Sequence, residues 1–329
     1  MEREADIVES LIRNAGRRVE PPDDAYQAVF VAAHAAFREK TARRRERFWG
    51  LCAGVAAVLV IAVALVVQRT PPVATQSELA RAERLIGGVE TATGDLWRPL
   101  AATPVRLMAG IRIRTLADGR AAFTLAGGGS LRLTADTEVM LDAPGRLYVQ
   151  RGTIYVDTQG RPASERIEVV TPAGTARDLG TQFELRLAGS ALRLRVREGA
   201  VVIDRGGHSL TGQAGEEISI DDFGSVQRAT IAPDDPAWQW AEAIAPMPDM
   251  DGQPASALIA WVARETGRRL RYESLLVEQR AASVILHGEV RHLAPIDALE
   301  AMLATTDLWV ELDGDAMEVR ARSQEPTSP

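Results

Sequence analysis

The chain has one cysteine and four histidines in 329 residues, and aromatic side chains make up only 5% of it. A lone cysteine, Cys52, forms neither an intrachain disulfide nor a thiol-rich zinc cluster. The spacings exclude more: HExxH, G-x-S-x-G, CxxC and G-x-x-x-x-G-K-S/T are all missing. Gly127 to Gly129 follow a strand pattern but open no helix, so they read as a turn. His287 and His292 flank Gly288 without a third ligand, His208 lies in a Gly-Gly turn, and His34 has no ligand companion nearby. The pairs Glu216-Glu217 and Asp221-Asp222 fall near strand ends, where solvated rims are expected rather than an acid–base couple. These absences predict neither an enzyme nor a bound cofactor or metal.

Charge is missing from one long run. Residues 48–67 carry no ionisable side chain apart from Cys52, and about 20 apolar residues at 1.5 Å rise match a hydrocarbon core of about 30 Å. The sequence therefore predicts a transmembrane helix over 48–67. Arg38, Lys40, Arg43, Arg44, Arg45 and Arg47 precede it, whereas Arg69, Arg81 and Arg84 follow, which keeps the N-terminus cytoplasmic. The long preceding segment and Pro71-Pro72-Val73-Ala74 suit an uncleaved anchor better than a signal peptide. Within the run Gly50 and Gly54 form a small-xxx-small pair through which two copies could approach, though in so alanine-rich a span the spacing is readily incidental.

The net charge of −7 is carried beyond that run, because residues 1–47 hold ten basic and nine acidic side chains. A negative exported region argues against nucleic acid or anionic lipid as its partner. On the cytoplasmic side, Ile7, Val8, Leu11 and Ile12 recur at helical spacing, and after Pro21-Pro22 a second stripe runs through Tyr26, Val29, Phe30, Ala33 and Phe37. So short a segment cannot bury both stripes, so the second is a candidate docking face for another protein.

Beyond a linker, with a short charged helix near Ser77 to Leu85, the period changes to two. Alternation is plain in Ile111-Arg-Ile113-Arg, Leu131-Arg-Leu133, Phe183-Glu-Leu185-Arg-Leu187 and Leu192-Arg-Leu194-Arg-Val196, with one apolar face and one rich in arginine. Turn signals such as Asp118-Gly119, Pro144-Gly145 and Gly206-Gly207 punctuate the runs, which predicts an all-β sandwich, barrel or solenoid. Residues Arg146 to Asp157 echo Arg193 to Asp204 at an offset of 47, suggesting stacked, similar hairpins. Gly180 and Gly199 are candidates for positive φ, and Glu198 could accept backbone donors at such a turn. After Trp238-Gln-Trp240 and a proline-rich joint, a helix through Ala257, Leu258, Trp261 and Val262 ends at Gly267 and a strand covers Leu270 to Tyr272. Val284 to Leu286 read as another strand, Pro295 opens a helix, and Leu308 to Val319 form a hairpin turning at Asp313-Gly314, together a small α+β unit.

The stretch Thr171-Pro-Ala-Gly174-Thr-Ala-Arg-Asp-Leu179-Gly180-Thr181-Gln-Phe183, followed by Val196-Arg-Glu198-Gly199, resembles the signature of the FecR family of single-span anti-sigma regulators. Resemblance extends over roughly residues 88–205, and Gly174, Leu179, Gly180, Thr181, Phe183, Glu198 and Gly199 carry it as fold-determining positions. Leu286-His-Gly288-Glu-Val290 followed by Pro295-Ile-Asp-Ala298-Leu299 is similar to the STN module of secretins and TonB-dependent transducers. The resemblance implies a cytoplasmic segment 1–47 that grips an extracytoplasmic-function (ECF) sigma factor through Tyr26, Val29, Phe30, Ala33 and Phe37. It implies further an inner-membrane helix 48–67, a linker 68–87, a periplasmic FecR-type β domain 88–222, a second linker 223–250, an STN-like domain 251–322 and a disordered tail 323–329. The expected periplasmic partner is the signalling domain of a TonB-dependent outer-membrane transducer. Residues 1–47 contain no tryptophan, a departure from the family's cytoplasmic pattern, so an envelope scaffold built from the same exported domains is the alternative.

Overall fold

The computed structural model describes residues 13–14, 29, 31–32, 77–101, 103–158 and 166–322. It divides into two compact units, Met1–Thr75 and Gln76–Pro329. In the first, the described residues are helical and exposed. The candidate span at 48–67, Cys52, and Gly50 with Gly54 lie outside the described residues. Among those described, no helix is long and apolar enough to cross a membrane.

The second unit begins with strands that distribute themselves between two sheets. The first sheet runs β4 (Val105–Met108), β1 (Glu78–Ile86), β6 (Arg120–Leu125), β7 (Ser130–Leu133), β9 (Arg146–Asp157), β12 (Gln182–Ala188), β13 (Ala191–Glu198), β16 (Glu216–Ile220), β17 (Val226–Thr230). The second runs β3 (Leu96–Pro99), β2 (Val89–Thr93), β5 (Ile111–Thr115), β8 (Glu138–Ala143), β9, β10 (Glu168–Thr171), β11 (Gly174–Asp178), β14 (Ala200–Arg205), β15 (His208–Gln213). Every ladder of these two sheets is antiparallel except β9 with β10. Period-two alternation turns Phe123, Leu131, Leu185 and Leu194 of one sheet toward Ile113, Val139, Leu141 and Ile203 of the other, and these join in one core. The architecture is an all-β sandwich, one of the three forms that the alternation and turn spacing predict.

Strand β9 belongs to both sheets: Arg146 to Arg151 pair with β8, and Gly152 to Asp157 pair with β12. The passage falls at Gly152, whose φ is 94°. Its echo 47 residues later breaks at Gly199, φ 76°, where β13 of the first sheet hands over to β14 of the second. The repeated pattern therefore marks two crossings between sheets, not two stacked hairpins.

Three local expectations are corrected. Ser77 to Leu85, read as a charged helix in a linker, is strand β1, because Leu79, Ala80 and Ala82 enter the core between β4 and β6. Tertiary burial there overrides the helix propensity of alanine, leucine and an i,i+3 Glu78–Arg81 pair. The second linker likewise contains β17, a 3₁₀ turn at Pro236–Trp238 and α1 (Gln239–Glu242), with Trp238 fully buried. In the C-terminal module, Val284 to Leu286 form no strand; Ile285 makes one bridge to Pro254.

The module otherwise follows the sequence. It consists of α2 (Ala255–Glu265), β18 (Arg269–Tyr272), α3 (Leu275–Ser283), α4 (Pro295–Leu303), β19 (Leu308–Asp313) and β20 (Ala316–Ala321), of which α3 had no sequence-level counterpart. β20 pairs parallel with β18 and antiparallel with β19, and Leu258, Val262, Leu299, Met302 and Val319 share its core.

Candidate functional site

The arginine-rich outer face of the first sheet is not left to solvent. Arg132 of β7 is completely buried, and its Nη2 lies 2.9 and 2.8 Å from the two carboxylate oxygens of Glu265, in the last turn of α2. Its Nη1 donates to the Ala241 carbonyl of α1 at 3.0 Å. Arg197 of β13 donates to the carbonyls of Glu265 and Pro233, at 2.7 and 2.5 Å, and to the Glu242 carboxylate at 2.5 Å. Its cation thus caps the carbonyl-bearing end of α2, where the helix dipole is negative. Arg264 completes the seam from the opposite direction, donating to Asp157 of β9 at 2.7 Å and to Glu198 at the end of β13.

Close approach is secured by Gly267, φ 64°: a side chain there would run into the Pro233 carbonyl and the Arg197 guanidinium. Aromatic rings fill the space between the charges. Tyr155 meets Trp238 and Trp240 edge-on at 6.0 and 6.5 Å, while Arg132 stacks over Tyr155 and Arg197 over Trp238 at 4.9 and 5.2 Å. Trp240 Nε1 donates to Glu184 at 2.8 Å. Burial raises the Glu265 carboxyl above the ordinary carboxylate range, with Arg132 opposing the shift. Burial, the largest single influence, pulls the Arg132 guanidinium down, but Glu265, Tyr155 and Asp157 together outweigh it and hold its pKa above the ordinary arginine value. Chemically, the cluster is a desolvated ionic joint that fixes the C-terminal module to the sandwich.

Burial also raises the Tyr155 phenol well above the ordinary tyrosine value, and its hydroxyl finds no hydrogen-bond partner among the described residues. Above pH ~10 an unfolded tyrosine ionises while Tyr155 in the folded state retains its proton, so stability falls as pH rises through that window. Tyr155→Phe is expected to change stability little at pH 7, where only an unpaired hydroxyl is lost. It should also reduce alkaline destabilisation by up to about 1.4 kcal/mol per pH unit above the unfolded pKa. Urea unfolding at pH 7 and 11 checks both parts.

The sequence-level signature converges on one corner of the sandwich. Gly180 (φ 93°) and Gly199 (φ 76°) lie so close that a methyl on Gly199 would overlap the Gly180 carbonyl and the Thr181 side chain. Leu179 donates its backbone N–H to Ala200, Thr181 and Phe183 are buried, Leu179 is partly exposed, and Gly174 (φ 139°) packs against the Asp204 carbonyl. Glu198 does not cap a turn; its carboxylate is taken by Arg264. Of the stripe from Tyr26 to Phe37, Val29 is helical and 69% exposed, and Tyr26, Phe30, Ala33 and Phe37 lie outside the described residues.

Residues 111–202, from the start of β5 into β14, match the family model described as FecR protein. The chain carries a FecR domain over these residues. No curated protein matches it. Two crystal structures of a candidate anti-sigma factor from Parabacteroides distasonis ATCC 8503 are similar to it, at 16% identity and a TM-score of 0.34, covering 64% of this chain and 99% of that one. Within the FecR domain lie Arg132, Asp157, Arg197 and Glu198, which form the sandwich side of the joint; its other side, Glu242, Arg264 and Glu265, lies beyond the matched residues. Sequence reasoning singled out Glu198 alone among these. The alternating Arg-Leu pattern was visible, but burial of Arg132 and Arg197 depends on partners 36 or more residues away.

Proposed function

We propose that this FecR-domain protein is a membrane-anchored anti-sigma regulator. The observation that carries the reading is the FecR match over residues 111–202, in a chain whose residues 48–67 form a charge-free run behind a basic flank. In this reading the Gln76–Pro329 unit is periplasmic, residues 48–67 cross the inner membrane, and the stripe Tyr26, Val29, Phe30, Ala33 and Phe37 holds an ECF sigma factor. The C-terminal module would be an STN-like docking surface for the signalling domain of a TonB-dependent outer-membrane transducer. Binding there would change the state of the cytoplasmic segment by differential affinity for two conformations.

A soluble fusion of residues 1–47 is expected to capture a sigma factor from the native cytoplasm, and the Val29→Asp, Phe30→Asp double variant is expected to lose it. Mass spectrometry of the two eluates decides the matter. The missing tryptophan in residues 1–47 favours the scaffold alternative, which predicts no sigma factor in either eluate.

A further inference from the structure

The C-terminal module is held to the sandwich at two places. One is the ionic joint at the last turn of α2. The other is β1, where the Arg84 guanidinium donates to the main-chain carbonyls of His292 at 2.8 Å and Leu293 at 3.4 Å, just ahead of α4. β1 is also where the chain enters this unit, since the unit begins at Gln76 and the strand at Glu78.

The seating of β1 is irregular. Its ladder shifts register between Glu78 and Ala80 against β4, and again between Ala82 and Arg84 against β6. From Arg84 to Ile86 it pairs with β6 alone. Bulges remove ladder bonds and bend the strand, so this half of β1 has weak lateral support of its own, and Arg84 supplies it from the module. A polar cleft of about 460 Å³ lies alongside, lined by Arg81 and Glu83 of β1, Asp157, Trp261, Glu265 and Arg291. Module and strand are therefore joined by a few directed contacts across open space, and a displacement of the module acts on β1 without forcing a repacked core.

We propose that β1 is a relay: the docked module keeps β1 seated in the first sheet, and lifting the last turn of α2 off Asp157, Arg132 and Arg197 loosens β1 at the chain's entry into this unit. The regulatory meaning of the relay rests on the anti-sigma reading; its mechanics do not.

Amide hydrogen exchange on the Gln76–Pro329 unit, which contains both cores, tests this. Arg84→Ala removes the direct contact. Arg264→Ala breaks the joint at β9, three strand spacings or about 14 Å from β1, so any effect on the strand is transmitted rather than direct. Both variants are expected to speed exchange over residues 78–86 about tenfold while β12 and β13 keep their protection. Unchanged β1 exchange in Arg264→Ala, whether or not α2 loosens, would overturn the relay, as would a uniform loss of protection in every strand. Capture of a sigma factor by residues 1–47 alongside unchanged β1 exchange would leave the anti-sigma reading standing and remove the relay alone.

Discussion

Arg132→Met should lower the unfolding free energy of the Gln76–Pro329 unit by about 3–5 kcal/mol, the cost of leaving one partner of a buried ion pair uncompensated. Arg132 is fully buried and Glu265 nearly so, so neither charge is rescued by solvent when the other goes. Loss of the Arg132 donor also strands the Ala241 carbonyl, which adds about 1 kcal/mol. The defect should depend on pH in a defined direction. Without Arg132 the Glu265 carboxyl loses the interaction that opposes its burial, so its folded-state pKa moves further above the unfolded value of about 4.3. A carboxyl with a raised folded pKa binds its proton more tightly in the folded state, so stability falls as pH rises from the unfolded pKa through the folded one. Arg132→Met should accordingly be less destabilised at pH 5 than at pH 8. Arg132→Met combined with Glu265→Met removes both charges and should recover most of the loss. Urea midpoints at the two pH values, with unchanged m, give all three numbers; equal losses in the single and double variants would mean that the pair is not an interacting buried unit.

The second large effect is at Gly199. Gly199→Ala should cost about 3–5 kcal/mol, combining a left-handed backbone of about 1–2 kcal/mol with overpacking of about 1–3 kcal/mol. The overpacking arises because a methyl at Gly199 overlaps the Gly180 carbonyl and the Thr181 methyl, where main chain must move. Gly207→Ala is the matched comparison: φ is 82° there, but nothing lies within 4 Å of the added carbon. That variant should lose only the conformational part, about 1–2 kcal/mol. Thermal and urea unfolding of both variants separates conformation from contact, and equal losses would show that the close approach of Gly180 and Gly199 contributes nothing.

Much of the sandwich was legible because period-two burial is written locally. Leu131, Leu133, Leu192, Leu194 and Val196 reach the core as their alternation predicts. Strand β1 was not legible, because Glu-Leu-Ala-Arg-Ala-Glu-Arg-Leu-Ile carries helical propensity and a helical charge pattern, and only its neighbours in space make it a strand. The joint was hidden for a related reason. Arg112 and Arg114 on β5 alternate with isoleucine just as Arg132 alternates with leucine, yet they remain partly exposed, paired with Asp95 and Glu90 and stacked on Trp97. Local sequence distinguishes an outward face from an inward one; it does not say which outward face a later module will cover. Trp238 and Trp240 were the one available signal, since two tryptophans in a supposed linker need a surface to bury against.

The same three positions, Arg132, Arg197 and Arg264, link the FecR domain to the module that follows it. In the proposed regulator that joint lies between the site where an external partner binds and the strand leading back toward the cytoplasmic segment. The most direct measurement is therefore sigma-factor occupancy of the full-length chain, purified in detergent as wild type and as Arg264→Ala. The proposed mechanism predicts that the wild type retains a sigma factor and that Arg264→Ala retains several-fold less. A folded wild-type chain carrying no sigma factor, or equal occupancy in both, would contradict it.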